Sequence, residues 1–127
     1  MTVKNRELLP LFLQIKNLLD PYEGRFVARR DEPGYYDLWT ERPVVVDGRR
    51  RKNVFFAGLI VQKSYVGFYF MPLYAEQQLS QVFGPELLAR LKGKSCFHLT
   101  ELSPALAAQL EDALSAGYEI FVERDWV

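Results

Sequence analysis

Apolar residues that recur at three- and four-residue spacing predict a helix near each end of the chain. The first helix has its apolar stripe at Leu8, Leu9, Phe12, Ile15, Leu18 and Leu19. Asp20-Pro21 is predicted to end it, and Pro10 fits in its first turn, where a proline removes no helical hydrogen bond. The last helix begins at Ser103-Pro104, a capping residue followed by a proline, and is predicted to end at Gly117.

Strand patterns fill the middle of the chain. The segments 53–62 and 65–71 are the richest in β-branched and aromatic residues, so they are predicted to form the centre of the sheet. Two earlier strands are predicted at Arg25–Arg30 and Tyr35–Thr40, joined by a turn at 31–34. Asp47-Gly48 favours a tight hairpin turn after the run of valines that precedes it.

Shorter elements are predicted between this sheet and the last helix. Leu79, Val82 and Phe83 indicate a short helical piece, and Gly84-Pro85 opens another. A turn at 92–94 then leads into a short strand over 95–99, and the tail from Tyr118 is expected to be a strand or an extended segment. The whole pattern predicts an α+β fold in a single domain, residues 1–127. Its antiparallel sheet has five to six strands and is covered on one face by about three helices.

Composition narrows the classes of function. Sixteen basic residues balance sixteen acidic ones, so a strong overall field is absent and a nucleic-acid partner is not expected. The lone Cys96 excludes an internal disulfide and fits a reducing compartment, which predicts a cytoplasmic protein. No stretch is apolar enough for a membrane span, and the polar residues among the first twenty argue against a signal peptide.

The aromatic content of 14% indicates that some rings could form a surface for stacking, and the second central strand, over 65–71, is the candidate. Alternation places Tyr65, Gly67, Tyr69 and Met71 on one face of it and larger apolar side chains on the other. The tyrosine face is the predicted ligand- or partner-facing side, where an aromatic cleft could also include Tyr35, Tyr36 and Tyr74 and be edged by Lys63 and Lys94. The alternative is that these tyrosines pack under the helices with their hydroxyl groups at the rim.

Cys96 and His98 are the only residues of the nucleophile or soft-metal class, and two-residue spacing puts them on one face of a strand. They could act as a nucleophile with its base or as half of a metal site, but no second Cys or His exists to complete a zinc site. The structural alternative is a buried Cys and a hydrogen-bonded His. The basic run 49–52 could contact phosphates, but nearby acidic residues and the zero net charge favour a solvated hairpin.

The middle of the chain also contains an ordered series of short motifs. They are Gly48-Arg49-Arg50, Val54-Phe55-Phe56-Ala57, Val66-Gly67-Phe68-Tyr69 before Met71-Pro72, Leu91-Lys92-Gly93-Lys94-Ser95, Cys96-Phe97-His98-Leu99 and Ser103-Pro104. Over about residues 44 to 117 the series resembles the YdhG-like family of small, mostly uncharacterised bacterial proteins. The resemblance implies an antiparallel sheet flanked by helices. Because some relatives are described as frataxin-like iron chaperones, it also implies a metal-handling role.

Three hypotheses of function follow. The first is a non-enzymatic module that binds a small molecule or a protein partner and could form a homodimer, since an uncovered apolar sheet face is commonly an interface. The second is a metal-handling protein, and the third is a small-molecule enzyme that uses Cys96, His98 and Lys94. No phosphate loop or catalytic signature is present, so no cofactor is predicted.

Overall fold

A computed structural model describes residues 6–41 and 43–127. Six strands form one antiparallel sheet in the order β1-β2-β5-β6-β8-β7, and two more form a separate hairpin. The strands are β1 Asp31–Glu32, β2 Tyr35–Trp39, β3 Val44–Val46, β4 Arg49–Arg51, β5 Phe55–Val61, β6 Val66–Phe70, β7 Leu91–Lys92 and β8 Cys96–Leu99. The two aromatic strands β5 and β6 lie at the centre of the sheet, as their composition predicts.

A helix precedes the sheet in the chain, two short helices lie between its strands β6 and β7, and another follows it. They are α1 Leu9–Leu19, α2 Met71–Ala75, α3 Pro85–Leu88 and α4 Pro104–Glu123, with 3-10 turns at Asp20–Tyr22 and Gln77–Val82. Ser103 caps α4 by accepting a hydrogen bond from the Leu106 amide. Among the described residues, no helix is both long and apolar enough to cross a membrane. The predicted α+β class with an antiparallel sheet is confirmed.

The hydrophobic core lies between the helices and one face of the sheet. Phe56 of β5 is its centre: its ring stacks on Phe26 at 4.2 Å between centroids and meets Phe121 of α4 edge-on. The residues of β6 and β8 that point to this side are fully buried, and so are those of β2. One sheet face therefore carries the packing that holds the helices.

The last helix is longer than its sequence predicts. Gly117 does not end α4, which continues to Glu123, so the prediction of an extended tail from Tyr118 is wrong for most of that segment. The reason is tertiary. A Cβ at Gly117 would collide with the Phe70 ring and lie 2.8 Å from Pro72, so the glycine permits close packing there. The following turn buries Phe121, and Trp126 donates a hydrogen bond to the carbonyl oxygen of Val45.

The first predicted strand is also corrected. Arg25–Arg30 forms no regular strand; it makes isolated bridges, a parallel one from Phe26 to Glu23 and an antiparallel one from Val27 to Trp39. The side chain of Asp37 accepts the amides of Arg29 and Arg30, which diverts the backbone from a regular ladder. The paired strand is the two-residue β1, beyond it. The predicted turn at Asp47-Gly48 is confirmed, with φ of 51° and 76°, but its hairpin stands apart from the main sheet.

Candidate binding surface

The sheet face opposite the core carries aromatic side chains that remain partly exposed. The strand pairing places Tyr69 beside Cys96 and Gly67 beside His98, all pointing away from the helices. The same register continues this face across β5 and β2. We call this surface the ring face and define it by Tyr35, Trp39, Phe55, Ile60, Tyr65, Tyr69, Cys96 and His98, each of them partly exposed to solvent.

The rings of this surface lie close to one another and to the sheet. Tyr65 and His98 stack with 3.8 Å between ring centroids and 14° between their planes. The Tyr69 ring lies over Gly67, where a Cβ would come within 2.9 Å of it. The Tyr69 hydroxyl accepts a hydrogen bond from the Gln62 side chain at 3.0 Å. The glycine therefore provides the space in which a ring can cover the backbone.

Arginine side chains extend the ring face over β2. The guanidinium of Arg30 lies 3.8 Å from the centre of the Tyr35 ring, and that of Arg29 lies 4.7 Å from the Trp39 ring. Both distances are within the range of cation–π attraction. Arg30 is also paired with Glu32 at 2.6 Å. This end of the face therefore combines planar rings with planar cations.

The environment of Cys96 does not activate its thiol. Burial raises the pKa of the Cys96 thiol above its ordinary value, and the hydrogen bond with Tyr69 only partly offsets this. Burial likewise raises the pKa of the Tyr69 hydroxyl. A nucleophilic cysteine needs the opposite shift, because the thiolate is the reactive form. The His98 ring, its predicted base, is stacked on Tyr65.

No metal centre is found in the part of the chain that the structure describes. Within it, no group of three or more His, Cys, Asp or Glu side chains could hold a metal ion. Cys96 and His98 share a face, as predicted, but no carboxylate joins them there. These two residues lie on the aromatic surface, where His98 stacks on Tyr65.

Of the predicted site residues, four are neighbours on the ring face, and Tyr35 of the predicted cleft lies on the same face at β2. Tyr65, Tyr69, Cys96 and His98 are neighbours on the ring face. Lys63 lies in the turn before Tyr65, and Lys94 lies in the β7–β8 turn at the opposite end of the β6–β8 pair.

Two of the predicted tyrosines and the predicted methionine lie outside the ring face. Tyr74 is 56% exposed on α2, which packs against α4 on the helical side, so it lies outside the ring face. Tyr36 is buried in the core and donates a hydrogen bond to Glu23 at 2.6 Å. Met71 begins α2 instead of continuing β6. Tyr35 therefore lies on the ring face and Tyr36 on the core side, because adjacent strand residues point to opposite faces of the sheet.

Several residues of the ring face and its border are not predicted from the sequence. They are Trp39 and Phe55 on the face, and the cations Arg29, Arg30 and Lys92 beside its rings. The alternation of Tyr35, Asp37 and Trp39 could have indicated one shared strand face. Phe55 could not have been assigned, since the register shifts between Leu38 and Trp39 and brings Phe55 opposite Trp39.

The ring face is a surface and not the predicted cleft. Five of the open concavities on the described surface have volumes of 290 to 460 Å³, and none of these five is lined by Tyr65, Tyr69, Cys96 or His98. One of them is bordered by Lys94 together with Leu73 and Ser80. A ligand of this face would therefore lie on the rings instead of entering a pocket.

Comparison of the chain with protein-family models, with curated proteins and with solved structures found no match in any of the three. The resemblance to the YdhG-like family therefore stays a prediction from its motifs. A function has to be argued from the surface itself.

Proposed function

We propose that this protein is a non-enzymatic binding module whose recognition surface is the ring face. The observation that carries the proposal is the asymmetry of the sheet. One face is buried under the helices, whereas the other keeps aromatic side chains of four strands partly exposed. Exposed contiguous apolar area on a stable sheet is typical of interaction sites.

The rigidity of the ring face supports this role. Tyr69 is held by Gln62 and lies over Gly67, and Tyr65 is held against His98. Side chains that are already ordered lose little conformational entropy when a ligand binds, so more of the contact energy becomes affinity. Tyrosine and tryptophan also offer large contact areas with few rotatable bonds.

The chemistry of the same residues favours binding over catalysis. The pKa of the Cys96 thiol is raised by burial, which disfavours the thiolate that an enzyme of this type would need. The metal-handling role implied by the family resemblance has no support from the described residues, because their His, Cys, Asp and Glu side chains form no group for an ion. We retain a cytoplasmic location as part of the proposal, since a single partly buried thiol fits a reducing compartment.

The experiment is a ligand screen with a map of the binding site. We would titrate flat aromatic acids and short peptides into isotope-labelled protein and record amide chemical shifts. Shifts are expected to cluster at Tyr65, Gly67, Tyr69 and His98, because the rings are the contact surface. The variant Tyr65→Ala should weaken every such ligand.

Tyr74→Ala is the matched control. It removes an exposed tyrosine from the helical side, so ligand binding at the ring face should be unchanged. Ligands that shift only residues around the concavities, such as the one between α1 and β1, would contradict the proposal. So would ligand affinities that Tyr65→Ala leaves as they are.

A further inference from the structure

We propose that the ligand of the ring face is a single-stranded nucleic acid. Its bases would stack on Tyr65, Tyr69 and their aromatic neighbours, and its phosphates would contact Lys63, Lys92 and Lys94. The inference rests on the proposed function, since it names the partner of the same surface. Aromatic platforms combined with a cationic track are the recurring solution for binding single strands.

The geometry of the β6–β8 pair supports a linear ligand. Tyr65 and Tyr69 are four residues apart on one side of the strand, a separation of about 13 Å at the usual rise per residue. Lys92 pairs with Cys96, so it lies on the ring face beside Cys96, with β8 between it and Tyr69. Lys63 and Lys94 occupy the turns at the two ends. The rings of one strip are therefore flanked by cations at its two ends.

The arginines over β2 provide a second row with the same chemistry. The guanidinium groups of Arg29 and Arg30 cover the Trp39 and Tyr35 rings at 4.7 and 3.8 Å. Nucleobases stack on guanidinium planes as well as on aromatic rings. A strand that leaves the β6–β8 strip therefore finds further planar partners across the sheet.

The local charge of the β6–β8 strip differs from the zero net charge of the chain. The segments 62–70 and 91–99, which form the strip, contain three lysines and no Asp or Glu. The helix α4, by contrast, carries four acidic residues and no Lys or Arg. The lysines of the strip therefore offer charge complementarity to a polyanion, while Asp37, on the same sheet face two strands away, accepts the Arg29 and Arg30 amides. The equal numbers of basic and acidic residues, from which no nucleic-acid partner is expected, give the net charge of the chain and not its distribution over the surface.

The surface favours a single strand over a duplex. In a duplex the faces of the bases are stacked on one another, so exposed rings on a protein have nothing to stack on. RNA and single-stranded DNA present the same bases and phosphates, and the surface chemistry described here does not separate them. The experiment therefore includes both.

The test is fluorescence anisotropy with labelled oligomers of uridine and of deoxythymidine, about twelve nucleotides long, a length within the range bound by one module. At least one of the two oligomers should bind at about 50 mM salt. A duplex of equal length should bind at least tenfold more weakly. Neutralising about three phosphates predicts a slope of about −2 for log K against log salt. Binding that is equal for duplex and single strand would overturn the inference.

Single substitutions on and off the ring face test whether the oligomers bind there. Tyr65→Ala should reduce affinity at least fivefold, because one stacking platform is lost, and Lys92→Gln should lower the salt slope by about 0.7. Tyr74→Ala should have no effect. Arg50→Gln, in the basic hairpin β3–β4, should also leave affinity unchanged, since that hairpin lies outside the main sheet. Far-ultraviolet circular dichroism of each variant confirms that it is folded.

The outcomes separate this inference from the proposed function. If oligonucleotides do not bind, or if only Arg50→Gln weakens them, a nucleic-acid partner for the ring face is wrong. If the ring face then responds to peptides, or if the chain forms a homodimer that Tyr65→Ala dissociates, the binding module stands with a protein as its partner. If neither oligonucleotides nor other ligands affect the ring face, both proposals fail.

Discussion

Close contacts between glycines and aromatic rings recur at the residue scale, on both sides of the sheet. Gly67 accommodates Tyr69 on the ring face, and Gly117 accommodates Phe70 and Pro72 in the core. The consequences differ. At Gly117 the neighbours are rigid and buried, so a larger residue would disturb packing. At Gly67 the glycine shapes a surface on which rings lie flat.

The reactivity of Cys96 is predictable from its burial. Its thiol pKa is raised, so at pH 8 the folded protein holds a smaller thiolate fraction than the unfolded chain and should react more slowly with iodoacetamide. The folded-state rate should continue to rise with pH beyond the point at which the rate of the urea-unfolded protein levels off. Time courses followed by mass spectrometry would measure both. A folded protein that reacts faster than the unfolded one at neutral pH would restore the nucleophile hypothesis.

At the scale of elements, α4 connects the core to the distribution of charge. Its inner side buries Leu106, Leu110, Leu114 and Phe121 under the sheet. Its acidic residues Glu111, Asp112, Glu119 and Glu123 are all exposed. The helix therefore presents acidic side chains to solvent while it stabilises the sheet whose other side faces solvent.

The substitution Gly117→Ala should destabilise the protein, contrary to the usual gain from helix propensity. In an open helix this change stabilises by about 1 kcal/mol, but here the new methyl group meets Phe70 and Pro72. Overpacking should give a net loss of about 1–3 kcal/mol in the free energy of unfolding. Urea denaturation measures it, with Ser115→Ala on the exposed side of α4 as the control. That control should gain about 0.5 kcal/mol. A stabilised Gly117→Ala would show that the packing around this residue is loose.

At the scale of the whole molecule, the separate hairpin β3–β4 shares one core with the main sheet. Val44 and Val46 are buried, and Trp126 joins Val45 to the end of the chain after α4. The β5 strand is tied to the preceding segment by hydrogen bonds between Thr40 and Val54. Elements from both ends of the chain therefore depend on the same packing.

Thermal unfolding should accordingly be a single cooperative transition. At about 0.7 kcal/mol per residue, the 127 residues predict an unfolding enthalpy of about 90 kcal/mol near 60 °C. Differential scanning calorimetry should give equal calorimetric and van't Hoff enthalpies, which is the test of a single domain. Two separated transitions would mean that the hairpin or the N-terminal helix folds independently. A Trp126→Phe variant, which loses the hydrogen bond to Val45, should unfold at a lower temperature in the same single step.

Much of the fold could be predicted because its causes are local. The stripe of α1, the Ser103-Pro104 start of α4 and the Asp47-Gly48 turn each depend on a few neighbouring residues. The end of α4 could not be predicted in this way. Gly117 is a strong local stop signal, and only its contact with Phe70 and Pro72 explains why the helix continues.

The candidate site, too, was predictable only where its causes are local. By itself the sequence determined that Tyr65 and Tyr69 share a strand face, and that Cys96 and His98 share one, because side chains alternate along any strand. Only the tertiary structure decided that these two faces are the same surface and that Tyr35, Trp39 and Phe55 belong to it, while Tyr36 and Tyr74 do not. Which residues share the exposed face depends on how strands remote in sequence pair and on which face of the sheet the helices cover. The spacing of neighbouring residues determines neither.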